Sequence, residues 1–371
     1  MNTDLKIPPR SKSELTPPHS LVDKLSGLVG QPFKLTRKTR TDGSNARKLV
    51  AGVLEKDSLP LPAMAGDYMI VPPKGKGVPR ILREYMDTYL VTSGNSYNLQ
   101  VWNRNPVSDS VQIEYSSGET VSARDVRFVF LRADSSNNRI DSVVILTPDY
   151  IEKKFGKFGK PTLKHQMIIP SRIRQEIVSQ NLPILFYSDT PRVAKFVSNI
   201  FSPPKRQFYS VPEHGDPFSL QIIKSKVVEP LLGLVIPADS TKTRGQSLEK
   251  IIVKLLGYDL NEDDLLAGSY PDILNQLLEV KLQDAATVDL GQLSPEFEEV
   301  ILSSPQITTR DIRYLIALAD PETQQVQAVI LCPGEHLGHH FTYVVNTSYK
   351  CQRSIPMSFF DQYAGRVVFN P

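Results

Sequence analysis

The sequence repeats itself, and the repeat limits the folds open to it. DVRFVFLRADSSNNRIDSVVILTP (125–148) and DIRYLIALADPETQQVQAVILCP (311–333) both begin Asp-aliphatic-Arg, carry Ala-Asp before a polar turn and end Ile-Leu-x-Pro. Each reads as a β-hairpin, two runs of β-branched and aromatic residues around a short polar turn. The likeness continues in the same order on both sides. TRTDGSNARKLVAGVLEKD (39–57) matches TKTRGQSLEKIIVKLLGYD (241–259), LQVWN (99–103) matches LEVKL (278–282), and KHQMIIPS (164–171) matches KCQRSIPM (350–357). Four segments recurring in one order predict two copies of one α/β unit, over residues 36–185 and 241–371.

Length fits this reading, because 371 residues are too many for one ordinary core. The expected layout is a mobile tail at 1–35, a first domain at 36–185, a Pro-rich connector at 186–240 and a second domain at 241–371. The expected class is α/β, an α+β mixed sheet flanked by helices. No apolar run reaches the ~18 residues of a membrane span, and the N-terminus MNTDLKIPPRSKSELTPPHS has no apolar segment of a secretory signal. The two cysteines, Cys332 and Cys351, are too few for a disulfide framework. A cytoplasmic protein without a membrane partner is expected.

Net charge is only +3 but unevenly spread. Residues 151–210 carry eleven Lys/Arg against three Asp/Glu, and residues 244–300 carry four against twelve. A basic stretch beside an acidic one suits a chain that grips a polyanion and holds cations near it.

The acidic stretch opens with the clearest helix, TRGQSLEKIIVKLLG (243–257). Leu248, Ile251, Ile252, Leu255 and Leu256 share one face at helical spacing, Thr243 and Gln246 form a capping box, and Gly257 stops the helix. Glu249 stands at the edge of the apolar stripe. LLEVKLQ (277–283) then alternates, so Glu279, Lys281 and Gln283 share the face opposite Leu278, Val280 and Leu282. Asp272 precedes this strand. In the first copy Gln100 and Trp102 are expected at the places of Glu279 and Lys281, with Ala46 or Arg47 near the place of Glu249. A charged set absent from one copy belongs to chemistry rather than to the fold.

Carboxylates and a lysine on one face suit phosphodiester hydrolysis. That reaction needs an activated water, charge stabilisation on the phosphate and help for the leaving oxygen, which cations held by carboxylates supply. Gln283 extends the face as a group that orients the metal site.

Pro271-Asp272 followed after six residues by Glu279-Val280-Lys281 resembles the PD-(D/E)XK nuclease signature. Arg244-Gly245-x-x-Leu248-Glu249 resembles the helix before that signature in mismatch-repair nicking enzymes of the MutH type and their restriction-enzyme relatives. The resemblance covers 244–283 well and 311–333 loosely. It implies a restriction-endonuclease-like C-terminal domain that cuts double-stranded DNA with Mg²⁺, as a type II restriction enzyme does. It implies Asp272 and Glu279 as metal ligands, Lys281 as a catalytic residue and Glu249 as part of the site. A cognate DNA methyltransferase would be its partner as a system. One site per chain implies a homodimer or sequential nicking. The first copy would be a degenerate nuclease-like domain that binds DNA, sets specificity or controls activity. A nicking or repair endonuclease and a non-catalytic DNA-binding regulator are the alternatives.

Other features carry less. Pro148-Asp149 with Glu152-Lys153-Lys154 matches the signature in letters, but two intervening residues cannot run two strands side by side. GKFGKPT (156–162) lacks the glycine spacing and the Ser/Thr of a phosphate loop. Its Lys157 and Lys160, with Lys164, are candidate contacts to DNA phosphates, as is Arg244. GEHLGHH (334–340) has no cysteine pair at zinc-ligand spacing, and His339 and His340 are candidate groove contacts.

Overall fold

The computed structural model describes residues 15–36, 39–55, 68–70, 81–108, 110–134, 137–236, 244–260, 270–304, 306–345 and 348–371. Among the described residues no helix is long and apolar enough to cross a membrane. In chain order, helices α1 (Pro18–Ser26) and α2 (Thr39–Glu55) precede strands β1 (Met86–Val91), β2 (Ser96–Trp102), β3 (Arg127–Asp134) and β4 (Arg139–Leu146). Helix α3 (Pro148–Phe155), strand β5 (Thr162–Ile168), helix α4 (Ser171–Val178) and strand β6 (Ile184–Phe186) follow. Then come α5 (Arg244–Leu255), β7 (Leu278–Gln283), β8 (Thr287–Gly291), β9 (Arg313–Ala319), β10 (Val326–Pro333) and α6 (Gly334–His340). The chain closes with β11 (Ser348–Pro356), α7 (Met357–Asp361) and β12 (Val367–Phe369). The architecture is mixed α/β, with mixed and antiparallel sheets flanked by helices.

Contacts divide the chain into two compact units. The first takes the chain to Thr162 and then Ser348–Pro371; the second takes Leu163–Thr347. The division thus falls at 162/163 and 347/348, not at the composition boundaries 185 and 240.

Each unit is built on a four-stranded mixed sheet. In the second unit the order is β7-β9-β10-β6, with β7 parallel to β9, β9 antiparallel to β10 and β10 parallel to β6. In the first it is β1-β3-β4-β12, again parallel, antiparallel, parallel. Both hairpins expected from sequence form. All seven residues of β9 are buried, which is why the strand reads as a continuous apolar run: both of its faces are covered. Leu315 and Ala317 pack into one core with Leu248 and Ile252 of α5. Tyr314, Ile316 and Leu318 pack into another with Met167 and Leu337. Each fully buried Leu or Ile contributes about 1.5–3 kcal/mol, so α5 is held by its stripe.

The described parts of the segments read as tail and connector, 15–35 and 186–236, are structural. Pro18 opens α1, its ring presetting the first helical φ, and Leu21, Leu25 and Leu28 are wholly buried. Within 186–240, Phe218, Leu220, Ile223, Val227 and Leu231 enter the core of the second unit. The two stretches also match locally. Gly30 (φ 81°) donates to the Ile140 carbonyl and Gly233 (φ 83°) to the Val326 carbonyl.

Register corrects the expected internal match. Met86 of β1 pairs with Arg127 as Leu278 of β7 pairs with Arg313. Each strand is entered through a tight turn: Ile81 and Met86 exchange backbone hydrogen bonds, as do Ile273 and Leu278. The residue before each strand is left-handed, Tyr85 at φ 51° and Leu277 at φ 48°. The local counterparts of Glu279 and Lys281 are therefore Asp87 and Tyr89, not Gln100 and Trp102. Gln100 and Trp102 lie on β2, which pairs with β11.

The unit boundaries also exchange material. After α3 the chain supplies β5, α4 and β6 to the second unit, where β5 pairs with β8 and β6 completes the sheet. After α6 it supplies β11, α7 and β12 to the first, where β11 pairs with β2 and β12 completes the sheet. Each unit closes with a β-α-β segment that follows the other unit's helix in sequence.

Candidate active site

The turn before β7 gathers the charged residues. The backbone N–H of Asp272 donates to Glu279 Oε2 at 3.0 Å, and Asp272 Oδ2 accepts from the Val280 N–H at 2.9 Å. Lys281 Nζ hydrogen-bonds to Glu279 Oε1 and lies 3.6 Å from Asp272 Oδ2. The lysine thus bridges two carboxylates that the backbone has already fixed. Glu279 is 3% exposed, deep enough that its charge must be compensated.

Burial pushes the Glu279 carboxyl up, and the Lys281 ammonium pulls it back. Burial pushes the Lys281 ammonium toward losing its proton, but Glu279 and then Asp272 outweigh it and hold the ammonium charged. Glu249, from α5, joins the set: burial and the like charge of Asp272 push its carboxyl up to about 8. Lys281 therefore pairs with two acids and feels the charge of a third.

Among the described residues no group of three or more His, Cys, Asp or Glu is arranged to hold a metal ion. The donor chemistry of Asp272 and Glu279 nonetheless suits a hard divalent cation, since all their ligating atoms are oxygens. Charge points the same way: above about pH 8, where Glu249 is ionised as well, Glu249, Asp272 and Glu279 against Lys281 leave a surplus of two negative charges.

A buried scaffold holds the turn. Arg313, wholly buried at the start of β9, donates to the carbonyls of Gln276 and Phe218 and lies 3.2 Å from Asp189 Oδ1. Gln276 in turn donates to Tyr258 Oη and accepts from the Phe218 N–H. The first unit has a matching device: Arg127 donates to the Thr16 carbonyl and lies 3.6 Å from Glu84. This arginine therefore serves the fold of the turn in both units.

The other sequence candidates fall elsewhere. Gln283 donates to the carbonyls of Ala285 and Thr287, which binds it to the turn after β7 instead of to Asp272 or Glu279. Arg244 is occupied with Asp284 at 3.2 Å and with the Ile236 and Gln324 carbonyls. Lys157 and Lys160 are exposed in the first unit; Lys164 is half-buried on β5. His339 is exposed on α6, and His340 Nε2 hydrogen-bonds to Tyr187 Oη at 2.6 Å. Asp149 pairs with Arg124 at the start of α3, as a surface reading requires. The capping box at Thr243 lies outside the described residues.

Two residues that sequence reading missed stand beside the set. Tyr270 Oη and Tyr314 Oη are 2.8 Å apart, and the charge of Glu279 acts on both hydroxyls. Tyr314 lies beside Glu279 in the parallel ladder. Nothing marked them out, because Tyr314 in an aliphatic strand reads as core and Tyr270 in Gly-Ser-Tyr-Pro reads as a turn.

No family model, curated protein or solved structure matches the chain.

Proposed function

We propose that the second unit is a Mg²⁺-dependent DNA endonuclease of the PD-(D/E)XK type, and that the chain is a sequence-specific type II restriction enzyme. The observation that carries this reading is the clasp: Asp272 and Glu279 are locked to each other through the backbone, with Lys281 bridging them. A turn-then-strand that places two carboxylates and a lysine on one face, with a fourth charged group from a flanking helix, supports the site that the motif resembles. Asp272 and Glu279 would hold the cation. The bound cation would polarise the phosphate and lower the pKa of an attacking water. Lys281 holds its proton and stabilises charge developing on the phosphate. Glu249 holds or accepts a proton beside them.

The matching strand order, the two left-handed residues before β1 and β7 and the paired glycines support an origin by duplication. Counting from the Ile81 and Ile273 turns, the first copy carries Arg80 where the second carries Asp272; Arg80 lies outside the described residues. Asp87 and Tyr89 replace Glu279 and Lys281, and Arg47 of α2 aligns with Glu249. Two acids have become arginines and the lysine a tyrosine, which suits DNA binding without cutting.

The deciding experiment is plasmid cleavage by wild type and Lys281→Ala, in Mg²⁺ and in Ca²⁺. Discrete Mg²⁺-dependent fragments, abolished by the substitution while DNA binding persists, are expected. Nicked circles alone would indicate a nicking enzyme. Binding without cleavage in any metal, on varied unmodified DNA, would replace the proposal with a regulatory DNA-binding protein.

A further inference from the structure

Two hydroxyls accompany the charged set in one unit and are missing from the other. Tyr314 on β9 occupies the ladder position beside Glu279; Phe128 on β3 occupies the position beside Asp87. Both rings are wholly buried. Phe128 shows that this strand position needs a ring and no hydroxyl. Tyr270 stands two residues before Asp272, and the same place in the first copy, counting from the Ile81 turn, is Val78, outside the described residues. A buried hydroxyl without a partner costs stability, so a hydroxyl that the fold does not require needs another reason.

Either hydroxyl of the pair can donate to the other, and burial decides between the two arrangements. Among the described residues the hydrogen-bond partner of the Tyr314 hydroxyl is Tyr270, at 2.8 Å. Tyr314 is wholly buried, so its proton goes to the Tyr270 oxygen or goes unpaired. Tyr270 is only partly buried and, with its oxygen serving as acceptor, keeps its own proton to donate. That donor belongs to the segment that carries Asp272.

We propose that Tyr270 is a further substrate-contacting residue of the site, donating a hydrogen bond to a phosphate oxygen of the bound phosphodiester, with Tyr314 as the positioning residue that orients it. The proposal rests on the nuclease reading for the identity of the substrate.

The test compares Tyr270→Phe, Tyr314→Phe and the double variant, by thermal midpoint, by cleavage of a short duplex in Mg²⁺, and by affinity for the same duplex in Ca²⁺. Tyr270→Phe strands the Tyr314 hydroxyl and lowers the midpoint; the double variant, which removes both, recovers it. Cleavage stays down about tenfold to a hundredfold in both, the size expected for one hydrogen bond to a charged group. Tyr314→Phe gives a smaller loss. A cleavage rate that recovers with stability in the double variant would reduce the pair to packing and overturn the proposal. If wild type binds duplex but cuts nothing, the nuclease reading fails and affinity in Ca²⁺ decides: weaker binding by Tyr270→Phe and by the double variant sustains the phosphate contact, and unchanged affinity overturns it.

Discussion

The backbone N–H of Asp272 donates to Glu279 Oε2 at 3.0 Å, so the residue that supplies one carboxylate also fixes the other. The return bond, from the Val280 N–H to Asp272 Oδ2, closes a small ring of interactions around the entry to β7. The geometry of the pair is therefore set by hydrogen bonds within the chain itself.

That ring separates charge from structure at Asp272. Asn at this position keeps an acceptor for the Val280 N–H, whereas Ala leaves that buried amide unpaired at a cost of about 1–3 kcal/mol. Both substitutions are expected to abolish Mg²⁺-dependent cleavage. Chemical denaturation should show Asp272→Ala clearly less stable than Asp272→Asn; equal stabilities would mean that the bond contributes nothing.

Glu249 gives a pH dependence. Its carboxyl titrates at about 8 in the folded chain against an ordinary 4.5, mainly through burial. The folded state thus holds this proton more tightly than the unfolded one. The associated stability is fully present below 4.5 and is lost as pH rises through about 8. Thermal melts in EDTA should show stability falling across this window, and Glu249→Gln should flatten the curve. Added Mg²⁺ should stabilise more at the upper end, where the carboxyl is ionised. A wild-type and a Gln variant with the same pH slope would remove Glu249 from the set.

How much of this was legible beforehand differs by element. The two hairpins, α5 and the clustering of Asp272, Glu279 and Lys281 follow from periodicity and spacing, and those features survive folding because local pattern and final packing agree. The match between LQVWN and LEVKL did not survive. Leu-x-Val recurs in any strand, whereas the left-handed residues at Tyr85 and Leu277, which precede the corresponding strands of the two sheets, leave no trace in residue type. Proline misled twice, since Pro18 starts a helix and residues between Pro217 and Pro230 fill a core. Tyr270 and Tyr314 were invisible because their meaning lies in a hydroxyl contact across 44 positions.

Arg313 offers a test of the scaffold. It is wholly buried and pairs with Asp189, which also accepts from the Leu220 N–H. Arg313→Met leaves Asp189 with a buried, uncompensated charge and should cost about 3–5 kcal/mol. Adding Asp189→Asn should restore part of that loss. Strict additivity in the double-mutant cycle would show that the two side chains are not coupled.

The exchanged segments predict which fragments fold. A chain of residues 187–371 lacks β5, α4 and β6 of the second unit and carries β11, α7 and β12 of the first. It should be aggregation-prone and without cooperative melting. Residues 163–347 contain the whole second unit and should melt cooperatively by circular dichroism. The reverse result would show that the exchange does not govern folding.

The exchange also sets a timetable during synthesis. Chains emerge from the ribosome N-terminus first, and domains usually complete in that order. Here the order is inverted at the finish: the second unit has all its residues once Thr347 is out, while the first, begun earlier, still lacks Ser348–Pro371. A nascent first unit must wait with the edge of β4 open for β12 to arrive. Stalling or truncation after Thr347 would therefore release a complete catalytic candidate joined to an unfinished partner.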